Sequence, residues 1–139
     1  MKRPRSRATR PLLLLSHHTA EHAERCWTCG QTPVCRRCTA LWPVAGVIIV
    51  LGVAKDLPTA TALELVAWLL PALGEYAAVQ RGRLLYHPGR TWIFGTLMGI
   101  GAGRLLHRYL VDPSDLVVWG IGGICVLAGL VSIRWKTQP

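Results

Sequence analysis

The feature that most constrains this chain is the grouping of its apolar residues into four blocks, with most charged residues between them. The blocks cover residues 39–54, 57–79, 91–106 and 116–133. The last holds 18 residues without a charge, and Asp115 before it and Arg134 after it suit the two ends of a helix. A soluble bundle of buried helices is the alternative, but no block shows the clean polar face of a surface helix.

The blocks predict an all-α fold, an integral membrane bundle of about four transmembrane helices over residues 39–139. Residues 1–38 form a basic arm followed by a Cys/His segment, for which a small metal knot is predicted. The first block has only 16 residues, which is short for a span of about 20. We therefore expect its polar ends to reach the membrane interface, or the bilayer to thin there.

The net charge of +9 is unevenly distributed between the two sides of a four-span topology. Thirteen Lys and Arg fall on the side of the N-terminus and three on the other, which predicts an inner-membrane, multi-pass protein with both termini cytoplasmic. The arm at residues 1–10 then sets topology and contacts anionic lipid, with no specific nucleic acid as partner. The Leu run at 12–15 is too short for a signal peptide.

Four of the five cysteines form two C-x2-C pairs, Cys26/Cys29 and Cys35/Cys38. Such spacing turns two thiolates toward one ion, and two pairs supply the four soft ligands of a tetrahedral zinc site. A reducing cytoplasm favours a metal over disulfides. The alternatives are a redox-active thiol pair, an iron–sulfur or copper site, and incidental clustering. The gap of five residues between the pairs predicts a compact knot without a separate hairpin. Cys125 is expected to be a packed hydrophobe.

Three histidines, His17, His18 and His22, precede the first cysteine pair. Imidazole is a common zinc ligand, so one of them could replace a cysteine or add to the site, with exposed loop histidines as the simpler alternative. Cys35 and Cys38 directly precede the first block, where the helix N-terminus lowers a thiol pKa. This position suits a reactive thiolate as well as a metal ligand.

The segment from Pro33 to Thr39, PVCRRCT, resembles a motif in a family of predicted bacterial membrane proteins. That family is catalogued as domain of unknown function number two thousand and eighty-five. The resemblance covers about residues 17–103 and implies about four spans, a suspected metal site and no established activity. A Cys-His pair precedes the family motif, and it would fall on His17 and His18 here, so the resemblance implies His17 or His18 with Cys35 and Cys38 as ligands. The chain departs from the family at Arg36 and Ala40, and Cys26 and Cys29 look like additions.

Two features fall inside the apolar blocks. Glu64 and Glu75 lie eleven residues apart on one face of the second block, and carboxylates in lipid are by default functional candidates. Arg81 or Arg83 is the expected partner of Glu75. In the third block, Gly95, Gly99 and Gly103 form a doubled G-x-x-x-G stripe, which predicts close helix packing inside the bundle or association with a second chain or membrane partner.

Three classes of function remain open from the sequence. The first is a membrane protein with a cytoplasmic zinc segment that is structural or serves metal handling or sensing. The second is a membrane thiol oxidoreductase or small biosynthetic enzyme that uses Cys35, Cys38 and Glu75. The third is an accessory subunit without chemistry. The sequence shows no Ser/His/Asp arrangement, phosphate loop or dinucleotide motif, which disfavours an enzyme of the soluble type.

Overall fold

The structure, a computed structural model, describes residues 25–29 and 32–134, with the side chains at 28, 29, 32, 33 and 132–134 left out. Four helices make up the described chain, which confirms the all-α prediction: α1 (Arg36–Ala54), α2 (Ala62–Gln80), α3 (Pro88–Val111) and α4 (Leu116–Arg134). Two short strands precede them, β1 (Cys26–Cys29) and β2 (Thr32–Cys35).

The two strands pair as an antiparallel hairpin, with Cys26 opposite Cys35 and Cys29 opposite Thr32. The prediction of a knot without a hairpin is therefore wrong. A five-residue gap is long enough because β2 takes up three of its residues, and a two-residue connection can join antiparallel strands. The hairpin runs directly into α1, which begins at Arg36.

Helices α1 and α2, at 19 residues each, are long and apolar enough to cross a membrane. Helix α1 begins three residues before the apolar block, which removes most of the shortfall in length that the sequence suggested. Only 22% of the apolar stretch of α1 and 28% of that of α2 are buried within the chain, whereas the core helix of a soluble protein is mostly buried. The apolar part of α4, Leu116–Val131, is shorter. The described chain thus has two helices of membrane-crossing length and composition.

The glycine stripe of α3 packs against α1 of the same chain. A Cβ built on Gly99 would lie 2.7 Å from the Leu41 carbonyl oxygen, and one built on Gly103 would lie 2.8 Å from the Ile48 Cβ. Gly95 approaches the Arg37 carbonyl oxygen in the same way, at 3.0 Å. Packing inside the bundle is therefore what the stripe does here, and its use by a second chain or partner stays a prediction.

Glu64 is the third residue of helix α2 and forms a capping box with the N-cap residue Thr61. The Thr61 backbone N–H donates to the Glu64 carboxylate at 2.7 Å, and the Glu64 N–H donates to the Thr61 hydroxyl at 3.2 Å. Both side chains are exposed at this end of the helix. The exposed carboxylate of Glu64 therefore has a structural task, satisfying N–H groups at the helix start.

Arg108 of α3 forms hydrogen bonds with the α1–α2 loop and with the start of α4 at the same end of the bundle. Its Nε donates to the Asp115 carboxylate at 2.6 Å, and it also donates to the Ala60 carbonyl oxygen in the α1–α2 loop. The backbone N–H of Val117 holds the pKa of Asp115 below its usual range, with help from Arg108. One turn before the end of α3, His107 is buried against Gly52 of α1.

Candidate functional site

The residues of interest meet at the end of the bundle where the hairpin enters α1. Because the helices alternate in direction, the N-terminus of α1, the C-terminus of α2 and the N-terminus of α3 lie there together. We call this the hairpin end, and it contains the Cys35 thiol, the Glu75 carboxylate and the Arg37 guanidinium, all three of them buried.

Three of the predicted cysteines approach one another at the hairpin end. The hairpin register places Cys26 opposite Cys35, and both are buried. Cys35 is the N-cap of α1 and Cys38 is the third residue of the helix, positions whose side chains lie close together in any capping box. The Cys38 thiol lies near those of Cys35 and Cys26. All three are thiols rather than disulfides.

The fourth cysteine and the histidine of the predicted site are not part of this group as described. Cys29 pairs with Thr32 at the turn end of the hairpin, three positions along the strand from Cys26, and its side chain is among those left out. His18 lies outside the described residues. Within the part of the chain that the structure describes, no three His, Cys, Asp or Glu side chains are arranged to hold a metal ion.

Glu75 forms two ion pairs at the hairpin end. Its side chain is 3% exposed, and it accepts hydrogen bonds from Arg37 of α1 and from Arg90 Nε of α3, the latter at 3.3 Å. Arg37 itself is buried, whereas the Arg90 side chain is about a third exposed. One carboxylate thus connects three helices.

The expected partners of Glu75, Arg81 and Arg83, are replaced by Arg37 and Arg90 in the structure. Arg81 caps the C-terminus of α2, and both it and Arg83 are exposed. Arg81 and Arg83 are close to Glu75 in sequence, but the Glu75 carboxylate faces the neighbouring helices. One feature of the sequence does indicate the observed partners. Arg37 and Arg90 lie in the first turns of α1 and α3, and Glu75 lies near the end of α2, so helices of alternating direction bring all three to the same end of the bundle.

Three arginines at the hairpin end stack on aromatic rings. The guanidinium of Arg36 lies 4.3 Å from the Trp27 ring centre, that of Arg37 lies 5.0 Å from Tyr76, and that of Arg25 lies 5.7 Å from Tyr86. Stacking of this kind holds a guanidinium in place without neutralising its charge.

Tyr86 lies just before α3, beside the arginines of the hairpin end. Burial raises the pKa of the Tyr86 hydroxyl, and the neighbouring Arg36 guanidinium and Thr91 hydroxyl oppose this rise. The Tyr86 and Thr91 hydroxyls lie close to each other, but no hydrogen bond of normal geometry joins them.

Several polar atoms at the hairpin end are buried without a hydrogen-bond partner. They include Arg36 Nε, Arg37 Nη1, Gln80 Oε1 and the Tyr86 hydroxyl. Buried polar groups are normally paired, so each such atom calls for an explanation. Two of the four are guanidinium N–H donors. Nothing in the sequence indicates that these donors would be buried without acceptors.

No family model, curated protein or solved structure matches this chain. The resemblance of the segment from Pro33 to Thr39 to a family of bacterial membrane proteins therefore stays a prediction.

Proposed function

We propose that this chain is a polytopic inner-membrane protein whose N-terminal Cys/His segment binds zinc at the point where the chain enters the bilayer. Its role is metal binding or handling, or that of a membrane accessory subunit. The observation that carries the proposal is the approach of the Cys26, Cys35 and Cys38 thiols at the start of a helix long and apolar enough to cross a membrane.

The membrane part of the proposal is supported by the exposure of apolar surface. Large apolar side chains of α1, α2 and α4 are exposed, among them Val50, Leu63 and Trp119. Contiguous apolar surface of this extent marks a site of contact with lipid or with another protein. We propose that lipid covers it and that α3 and α4 also cross the bilayer, which places both termini on one side, and the excess of Lys and Arg there makes it the cytoplasmic side.

The donor chemistry at the hairpin end suits a soft divalent ion. Cys26, Cys35 and Cys38 supply three thiols, and tetrahedral zinc requires a fourth ligand. Cys29 from the turn of the hairpin or His18 from the preceding segment would complete the set. Metal sites frequently form together with the local fold, so we propose that the ion draws the three thiols and the fourth ligand together and joins the hairpin to α1.

Elemental analysis of the full chain purified in detergent tests the metal directly. We expect about one zinc per chain, and we expect Cys35→Ser to lose it, because Cys35 is the thiol at the centre of the group. Cys125→Ser is the matched control, since Cys125 lies on α4 far along the chain from the hairpin. Comparison of Cys29→Ser with His18→Ala then identifies the fourth ligand.

Wild-type protein without bound metal, or Cys35→Ser with an unchanged zinc content, contradicts the metal site. Loss of zinc from Cys125→Ser as well indicates general unfolding, which the thermal melting curve of that variant reveals independently.

The topology has its own test. Fusions at the N-terminus and at the C-terminus to a fluorescent protein that matures only in the cytoplasm are expected to fluoresce, and fusions at both ends to a phosphatase active only outside are expected to be inactive. A fusion at Pro58, in the loop between α1 and α2, is expected to show the opposite pattern. Phosphatase activity at either terminus would overturn the orientation.

One observation favours a second candidate function, a membrane thiol oxidoreductase. Cys35 is the N-cap of α1 and Cys38 is its third residue, so the two thiols that a redox pair needs lie at one helix start. Cys26→Ser separates the two functions: it removes a ligand from the zinc site but leaves a Cys35/Cys38 pair able to oxidise. Glu75 is less suited to acid–base catalysis in such an enzyme, since two guanidinium groups already hold its carboxylate.

A further inference from the structure

The hairpin end carries more positive than negative charge. Six of the described arginines contribute to it: Arg25, Arg36, Arg37, Arg81, Arg83 and Arg90. Five acidic side chains are described, and Glu75 alone among these lies at the hairpin end. The other four lie at the opposite ends of the helices, at positions 56, 64, 112 and 115.

Two of the guanidinium groups have buried donors with nothing to bind. Arg37 is 9% exposed, and its Nη1 has no hydrogen-bond partner although another of its nitrogens donates to Glu75. Arg36 Nε is also buried without a partner, while the guanidinium stacks on Trp27. A buried donor without an acceptor is costly, and an anion is the acceptor that guanidinium groups prefer.

The start of α1 adds to the attraction for an anion. The Cys35 side chain caps none of the backbone N–H groups of the first turn, and that turn contains no acidic residue. The first backbone N–H groups of a helix carry partial positive charge and readily bind phosphate or carboxylate. Arg36 and Arg37 are the first two residues of this helix, so both kinds of donor occur at one place.

We propose that the hairpin end binds a phosphate group, supplied by the headgroup of an anionic phospholipid or by free phosphate. Arg36 and Arg37 donate to the phosphate oxygens, and Arg90 adds charge from α3. In a bundle whose helices α1 and α2 are of membrane-crossing length, their ends lie at the depth of the lipid headgroups. Glu75 competes with the ligand for Arg37, so its charge weakens binding. The proposal does not require a bound metal.

The test uses the full chain in a neutral detergent and follows thermal unfolding. Short-chain phosphatidylglycerol, short-chain phosphatidylcholine and inorganic phosphate are titrated separately. Stabilisation by phosphatidylglycerol well above that by the other two identifies a lipid headgroup as the ligand. Equal stabilisation by inorganic phosphate identifies free phosphate. Absence of a difference between phosphatidylglycerol and phosphatidylcholine, together with no effect of phosphate, overturns the proposal.

Arg36→Gln and Arg83→Gln form a matched pair, because both remove one charge near the same end of the bundle. Arg83 is exposed, whereas Arg36 carries an unpartnered buried donor. We expect Arg36→Gln to weaken binding about tenfold, the usual effect of losing one hydrogen bond to a charged group. Arg83→Gln is expected to change it little. Equal weakening by the two variants would show only diffuse attraction and would refute the site.

Glu75→Gln supplies a second, independent readout. The amide keeps the shape of the side chain and one acceptor oxygen but removes the competing charge, so ligand binding is expected to become tighter. If Glu75 and Arg37 serve packing alone, the same variant loses stability and gains no affinity, which contradicts the proposal. The zinc content of Arg36→Gln is measured in parallel, so that a lost metal site is not mistaken for a lost phosphate site.

Discussion

Glu75→Leu is expected to destabilise this chain by about 3–5 kcal/mol, the range seen when one partner of a buried ion pair is removed. Glu75 and Arg37 are both buried, and they belong to different helices. Without the carboxylate, the Arg37 guanidinium stays buried against the Tyr76 ring but loses the acceptor that Glu75 provides. Arg90 loses less, because its side chain is about a third exposed and it also donates to the Leu85 carbonyl oxygen.

The free energy of unfolding in mixed detergent micelles measures this effect. The double variant Arg37→Leu/Glu75→Leu is expected to recover much of the loss, because an apolar pair of similar volume often replaces a buried ion pair at little cost. Glu64→Gln serves as the control on the same helix: it alters only an exposed cap, worth roughly 1 kcal/mol. A Glu75→Leu variant as stable as Glu64→Gln, or a double variant no better than the single one, would show that the pair is not what joins the helices.

The helices could be predicted from the sequence, because long apolar blocks bounded by charged residues leave few alternatives to a helix. The last block, residues 116–133, differs from α4 by one residue. The predicted first block begins three residues after the start of α1, because Arg36 and Cys38 suit the end of a metal knot, although polar residues are also common in the first turn of a helix. Charge and hydropathy alone do not separate these two roles.

The candidate site could be predicted only in part. The proximity of Cys35 and Cys38 follows from their C-x2-C spacing, whereas Cys26 comes opposite Cys35 through a hairpin that the spacing did not predict. The Glu75–Arg37 pair joins residues 38 positions apart, and no spacing rule reaches that far. Such a pair depends on how α1 and α2 each pack against α3, which α1 approaches closely at the glycine stripe.

That close approach is the subject of the second large effect: Gly99→Ala is expected to destabilise the bundle by about 1–3 kcal/mol, as overpacking of a tight contact does. The new methyl group would lie 2.7 Å from the Leu41 carbonyl oxygen and 3.0 Å from the Val44 Cβ. A backbone oxygen cannot rotate away as a flexible side chain does, so α1 and α3 must separate. Unfolding in mixed micelles again provides the measurement.

Gly46→Ala is the matched control, because Gly46 lies on α1 and a Cβ there meets nothing within 4 Å. Its effect is expected to be neutral or stabilising by up to about 1 kcal/mol, since alanine favours a helix over glycine. If the stripe served association between chains instead, Gly99→Ala would change the oligomeric state and leave the stability of the monomer intact.

The glycine contact and the ion pair are also expected to be coupled. A Cβ at Gly95 would lie 3.0 Å from the carbonyl oxygen of Arg37, the residue whose side chain holds Glu75. Separation of α1 from α3 at this point moves Arg37 away from Glu75 and weakens the pair. Gly95→Ala and Glu75→Leu should therefore be less destabilising together than the sum of the two, by at least about 0.5 kcal/mol. Strict additivity would mean that helix packing and the buried charges are independent.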